Sequence, residues 1–296
     1  MNLFRKKISI GAEELAYIEE GKGEAVILLH GNLSSSVHFQ PLLERLKDDY
    51  RCVAPDLRGF GESSYNRRFD SLDELAEDVC MFMEQLGIPA AFVAGWSTGG
   101  GIAMKLAAMH PEKVRKLFIM EGVGYRGYPT YMKSPDGKST GEAYADKEAM
   151  AADPQQVGRL LKILSDGNEE AMSKIWQGLI YTVSKPEPDQ NALWIRETLK
   201  QRNLADLEWA LAAFNMSEQD NPYGQGDGSI RNITCQAAFT SGDRDRVVPV
   251  SMVESNVKAL KPLSTLIRYE NCGHSPLVDC PGRLAEDIRF FFSKSE

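Results

Sequence analysis

"FVAGWSTGGGIAM", residues 92–104, joins a strand-like apolar run to a helix-like one through Gly95, Ser97 and Gly99, and then adds Gly100 and Gly101. Glycine inside a helix costs roughly 1 kcal/mol against alanine, so three in one first turn require a steric or functional reason. A serine with glycines at −2 and +2, set between strand and helix, has a mechanical reading. The turn is so tight that the serine takes strained backbone angles, and a side chain at either flank would collide with neighbouring backbone. The bare spacing is weak, because glycine and serine are common residues. Its place between a strand and a helix sharpens it. Gly100 and Gly101 then let the helix approach the sheet or a bound substrate closely, or simply serve packing.

Working outward, the first 122 residues alternate strand and helix patterns. "KKISIG" and "ELAYIEE" read as a short hairpin, and "EAVILLH", "YRCVAPDL" and "AAFVAGW" are apolar runs of strand length. "HFQPLLERLKDD" and "SLDELAEDVCMFMEQLG" carry apolar residues at helical spacing, the second with Ser71 and Glu74 in capping-box register and Gly87 at its close. The helix begun at Gly99 stops near His110 and Pro111 and is followed by the strand "VRKLFIME". Such alternation implies parallel pairing through crossovers, hence an α/β fold with a mostly parallel, doubly wound sheet. From 123 to 230 the pattern changes to a polar, glycine- and proline-bearing segment followed by four helical runs, the expected form of an inserted helical cap. Alternation resumes at 231, so residues 1–122 and 231–296 form the expected core.

The 296 residues carry a formal charge of −8, and no stretch gathers enough lysine and arginine to track phosphates, which argues against nucleic acid. The basic opening is followed by an apolar run too short for a signal peptide, and no stretch approaches the roughly 18 apolar residues of a membrane span. The expected compartment is the cytoplasm. Five scattered cysteines without CxxC spacing and only four histidines predict reduced, mostly buried thiols, no metal site and no cofactor.

A serine alcohol needs a base to accept its proton. Of the four histidines, His30 ends an apolar strand and shapes a loop, His38 lies on a helix, and His110 suits a helix C-terminus. His274, in "ENCGHSP" just past the last predicted strand, remains, where the carboxyl edge of a parallel sheet would present it. "TSGDRDRVVP" offers Asp243 and Asp245 to orient that ring, giving the chain order Ser, Asp, His.

Taken together, "LLHGN" (28–32), "APDLRGFGESS" (54–64), "GWSTGG", "GDRDRVVP" and "CGHSP" resemble, in order, the oxyanion loop, the loop after the fourth strand, the nucleophile elbow, the acid loop and the histidine loop of the α/β-hydrolase family. The resemblance implies Ser97 as nucleophile, His274 as base, and Asp245 as acid because it lies four residues before Pro249. Asp243 and Glu121 stand as rivals for the acid, Glu121 at a position from which some relatives draw it. It implies an oxyanion hole from the Asn32 and Thr98 N–H groups. "HGN" rather than "HGGG" does not suit bulky tertiary alcohol esters. Serine rather than aspartate at 97 disfavours dehalogenase and epoxide hydrolase chemistry. The implied partner is a small-molecule ester or lactone bound against Trp96, Trp176, Trp194 and Trp209, with a homodimer left open. Hydroxyalkanoate depolymerase, carbon–carbon bond hydrolase and non-catalytic receptor are the alternatives.

Overall fold

A computed structural model describes residues 4–293. The chain opens with antiparallel strands β1 (Lys6–Ile10) and β2 (Glu13–Glu20), which turn at Gly11 with φ of +62°. Strands and helices then alternate: β3 (Ala25–Leu29), α1 (Gln40–Leu46), β4 (Arg51–Pro55), α2 (Leu72–Gln85), β5 (Ala91–Trp96), α3 (Thr98–Met109) and β6 (Val114–Met120). An insertion carries β7 (Tyr131–Lys133), β8 (Ser139–Ala143), α4 (Lys147–Ala152), α5 (Val157–Ser165), α6 (Glu169–Leu179), α7 (Pro188–Thr198) and α8 (Leu204–Ala213). β9 (Gln236–Gly242), α9 (Val250–Ala259), β10 (Ser264–Tyr269), α10 (Pro276–Asp279) and α11 (Pro281–Ser293) complete the chain.

Eight strands form one sheet in the order β1-β2-β4-β3-β5-β6-β9-β10, parallel from β4 to β10. This is the expected doubly wound α/β sheet. The central strands read as unbroken apolar runs because both of their faces are covered. Ile27, Leu29, Val93, Leu117 and Ile119 enter the core on one face, while Val26, Leu28, Ala94, Phe118 and Met120 enter the core on the other. Trp96 falls on the second face by the same period of two.

Two local expectations need correction. The segment before the insertion's helices is not irregular throughout, since β7 and β8 pair antiparallel across a turn in which Gly137 takes φ of +81°. "SPDGK" is the turn chemistry responsible, with the Gly137 N–H donating to the Ser134 carbonyl at 2.8 Å. At α2, Ser71 is the N-cap but makes no side-chain cap, and Glu74 Oε1 instead accepts from the Asp70 N–H at 2.8 Å. No helix among the described residues is long and apolar enough to cross a membrane.

Candidate active site

The parallel strands deliver their following loops to one edge. Asn32 follows β3, Ser97 follows β5, Glu121 follows β6, Asp245 follows β9 and His274 follows β10. Loops at the carboxyl ends of parallel strands are where an open α/β sheet gathers a site.

Ser97 takes φ of +55° and ψ of −119°, a conformation costly for any residue with a Cβ. Its N–H donates to the Met120 carbonyl at 2.9 Å, and its own carbonyl accepts from Gly100 and Val123. The flanking glycines are steric necessities. A Cβ at Gly99 would lie 2.1 Å from the Leu29 carbonyl oxygen, and one at Gly95 would lie 2.3 Å from the Gly99 carbonyl oxygen. A Cβ at Gly100 or Gly101 would lie 2.7 Å from Ile119 Cγ2 or 2.8 Å from Val123 Cγ2, so packing accounts for them. A Cβ at Gly31 would touch the Ser97 Cβ at 2.9 Å and sit 3.5 Å from its Oγ, which places the loop after β3 directly against the serine.

His274 is buried, and its Nδ1 lies 2.9 Å from Asp245 Oδ2. The other Asp245 oxygen accepts from the Val247 and Val248 N–H groups at 2.7 and 3.0 Å, fixing the carboxylate toward the ring. Trp96 Nε1 donates to the His274 carbonyl at 2.7 Å, tying the elbow to the histidine loop. Ser97 and His274 face a common cavity of about 190 Å³, whose wall also includes Asn32, Thr98, Trp96 and Trp176. Among the described backbone hydrogen bonds, neither the Asn32 nor the Thr98 N–H has an acceptor.

The rival acids make other hydrogen bonds. Asp243 is exposed, accepts from the Cys272 N–H at 3.1 Å, and is held below the usual carboxylate range chiefly by that bond. Glu121 is fully buried with φ of +43°, and both its oxygens lie 3.1 Å from the donating Thr240 Oγ1. Burial first, and the neighbouring Asp245 charge second, raise it well above the usual range.

The other histidines are structural. His30 Nε2 accepts from the Leu57 N–H at 3.0 Å while its Nδ1 lies 2.9 Å from the Gly31 carbonyl, a pattern that requires the neutral ring. Burial lowers it to about 4. His38 stacks on Trp176 and packs beside Trp194, each with centroids 5.1 Å away.

The tryptophans divide. Trp96 and Trp176 line the cavity, whereas Trp194 is buried behind it and Trp209 packs on Tyr223 beside a surface recess with Arg68 and Lys147. Helical wrapping explains this, because Trp209 is one position past a wall residue, Glu208, and so turns away. The sequence reading missed Glu208 itself, along with Ile175, Leu179, Ile180 and Leu211, which join Trp176 in the insertion's share of the wall. Glu208 carries a legible signal, an acid spaced three and four residues from Leu204, Leu211 and Ala212 on an otherwise apolar stripe.

The profile of the α/β-hydrolase fold matches residues 24–281. The chain belongs to the α/β-hydrolase fold family. It is 25% identical over 284 residues to a pimeloyl-[acyl-carrier protein] methyl ester esterase of Aliivibrio salmonicida, covering 94% of this chain and 95% of that one. Its structure superposes on a thermophilic esterase from Thermogutta terrifontis with a TM-score of 0.71, 22% identity and 98% of each chain covered. The enol-lactonase of Burkholderia xenovorans LB400 gives a TM-score of 0.75 at 15% identity, over 98% of this chain and all of that one. A hydrolase of the α/β fold is the activity class these similarities support. Among the described residues, one group has metal-ligand spacing: Glu77, Cys80 and His110, with ligand atoms within 4.8 Å of one another. None of the three reaches the α/β-hydrolase cavity wall, and the His110–Glu77 contact at 3.1 Å is an ordinary pair.

Proposed function

We propose that this chain is a serine hydrolase of carboxylic esters or lactones that works through an acyl-enzyme, with residues 123–230 acting as a cap over the site. The observation that carries this reading is the buried His274–Asp245 pair at 2.9 Å, facing the same cavity as a serine held at positive φ. Ser97 Oγ attacks the carbonyl carbon while His274 Nε2 takes its proton. Asp245 holds the ring by its Nδ1–H and stabilises the imidazolium. The Asn32 and Thr98 N–H groups receive the oxyanion, and removing such a donor typically costs 10² to 10³ in rate. His274 then returns the proton to the leaving alcohol, and water repeats the sequence on the acyl-enzyme.

The wall is mostly apolar, with Val123, Ile175, Leu179, Leu211, Val247 and Val248 around the few polar groups. A cavity of about 190 Å³ exceeds only modestly the roughly 150 Å³ that admits benzene, so a short acyl group fills it. The test is turnover of a p-nitrophenyl ester series from acetate to dodecanoate, with several lactones, by wild type and Ser97→Ala. We expect kcat/KM to peak among the short esters and Ser97→Ala to lose several orders of magnitude with an unchanged melting temperature. Turnover by Ser97→Ala at the wild-type rate would end this reading, and negligible turnover by wild type on every ester and lactone would favour a receptor.

A further inference from the structure

Most buried acids in this fold are matched to cations, Glu121 on the Thr240 hydroxyl being an exception. Arg58 pairs with Asp78 at 2.6 Å, Arg68 and Lys147 meet Asp206 at 2.5 and 2.9 Å, and Arg5 serves both Asp56 and Glu197. Glu208, half-buried at the cavity, also lacks a matching cation. It stands on α8 in the wall of the cavity that holds Ser97 and His274, and no lysine or arginine shares that wall. Its Oε1 accepts from Asn32 Nδ2 at 2.8 Å, an uncharged donor, and among the described residues nothing donates to Oε2. Asn32 is in turn held by Gln201 Nε2, which donates to Asn32 Oδ1 at 2.8 Å, so it cannot swing to give Glu208 a second bond without losing this one.

A carboxylate facing an apolar cavity without a counter-charge is an expensive arrangement, and it becomes favourable when the ligand supplies the missing cation. We propose that Glu208 is a specificity residue, and that the substrate is an ester or amide whose acyl group carries an ammonium that donates to Glu208 Oε2. This rests on the serine hydrolase reading above and adds the substrate's charge to it. Burial raises the Glu208 carboxyl to about 7, so an ammonium bound beside it also returns the group to its ionised form at neutral pH. A carboxylate-bearing substrate would meet repulsion at the same place.

Glu208 has one competing role, as a positioning residue that only steadies Asn32. Glutamine keeps an acceptor for Asn32 Nδ2 and removes the charge, so Glu208→Gln separates the two. The experiment uses the full chain, wild type and Glu208→Gln, at pH 8, with matched p-nitrophenyl esters in which an ammonium replaces a methyl: 3-aminopropanoate against butanoate, and 6-aminohexanoate against heptanoate. Ser97→Ala supplies the blank for spontaneous hydrolysis. The quantity read is the kcat/KM ratio of ammonium to methyl ester, divided by the same ratio for the variant, which cancels intrinsic reactivity. Hydrogen bonds to charged groups lead us to expect at least about a tenfold value at one of the two lengths. A value near one at both lengths overturns the proposal, and an equal loss on both members of each pair does so by assigning Glu208 to positioning. If Ser97→Ala itself retained turnover, the serine mechanism would fall instead, a different result on the same plate.

Discussion

Ser97 holds a backbone conformation that costs roughly 1–2 kcal/mol for a residue with a Cβ, and three backbone hydrogen bonds around it offset that cost. The strain aims an alcohol into the cavity that a relaxed turn would leave along the strand. At the same scale, two carboxyls stand near one another and differ in their partners. Asp245 accepts from two backbone N–H groups and meets the His274 ring, while Glu121 has one hydroxyl and full burial, which favours its neutral acid. Their roles under the proposed mechanism therefore separate by isosteric substitution. Asp245→Asn should lower kcat by about 10³- to 10⁴-fold, since the ring loses both its orientation and its counter-charge. Glu121→Gln should change kcat by less than a few fold, because it replaces one neutral group with another. Steady-state kinetics on a short p-nitrophenyl ester checks both, and the opposite ranking would make Glu121 the acid.

At the scale of elements, the elbow is a fit between the start of α3 and the ends of β3 and β5. Gly99→Ala would drive a methyl to 2.1 Å from the Leu29 carbonyl oxygen, which belongs to a central strand and has no room to yield. We expect a loss of about 3 kcal/mol or more in urea unfolding, or failure to accumulate as folded protein. Gly101→Ala, whose nearest neighbours are the side-chain tips of Val123 and Leu72, should lose less. This element was legible in the sequence because a backbone clash leaves a fixed glycine spacing behind it, and the central strands were legible because burial on both faces leaves unbroken apolar runs. The hairpin of β7 and β8 escaped notice because its residues are largely exposed, so no apolar alternation marks them. Trp209 and Glu208 show the same limit from the other side. Adjacent residues on one helix point about 100° apart, and aromatic content alone does not say which of them faces the cavity.

The molecule as a whole balances two kinds of buried titratable group, and its response to pH follows from their opposite signs. Burial lowers His30 to about 4 and His38 to about 3, against about 6.5 in an unfolded chain. Between about pH 4.5 and 6.5 the unfolded chain therefore binds those protons and the folded one does not, so each ring removes about 1.4 kcal/mol of stability per unit of falling pH. Glu208, raised to about 7, and Glu121, raised well above its usual range, do the reverse, because there the folded chain binds the proton and the unfolded one releases it. The two kinds of group oppose one another across that window, and single substitutions shift the balance in opposite directions. His38→Phe keeps the ring stacked on Trp176 and removes one histidine, so stability should rise relative to wild type as pH falls from 6.5 to 4.5. Glu208→Gln removes one acid, and its stability should fall relative to wild type over the same span. Urea unfolding at half-unit intervals of pH reads both slopes, and two variants tilting the same way would show that burial has not set these protonation states as described.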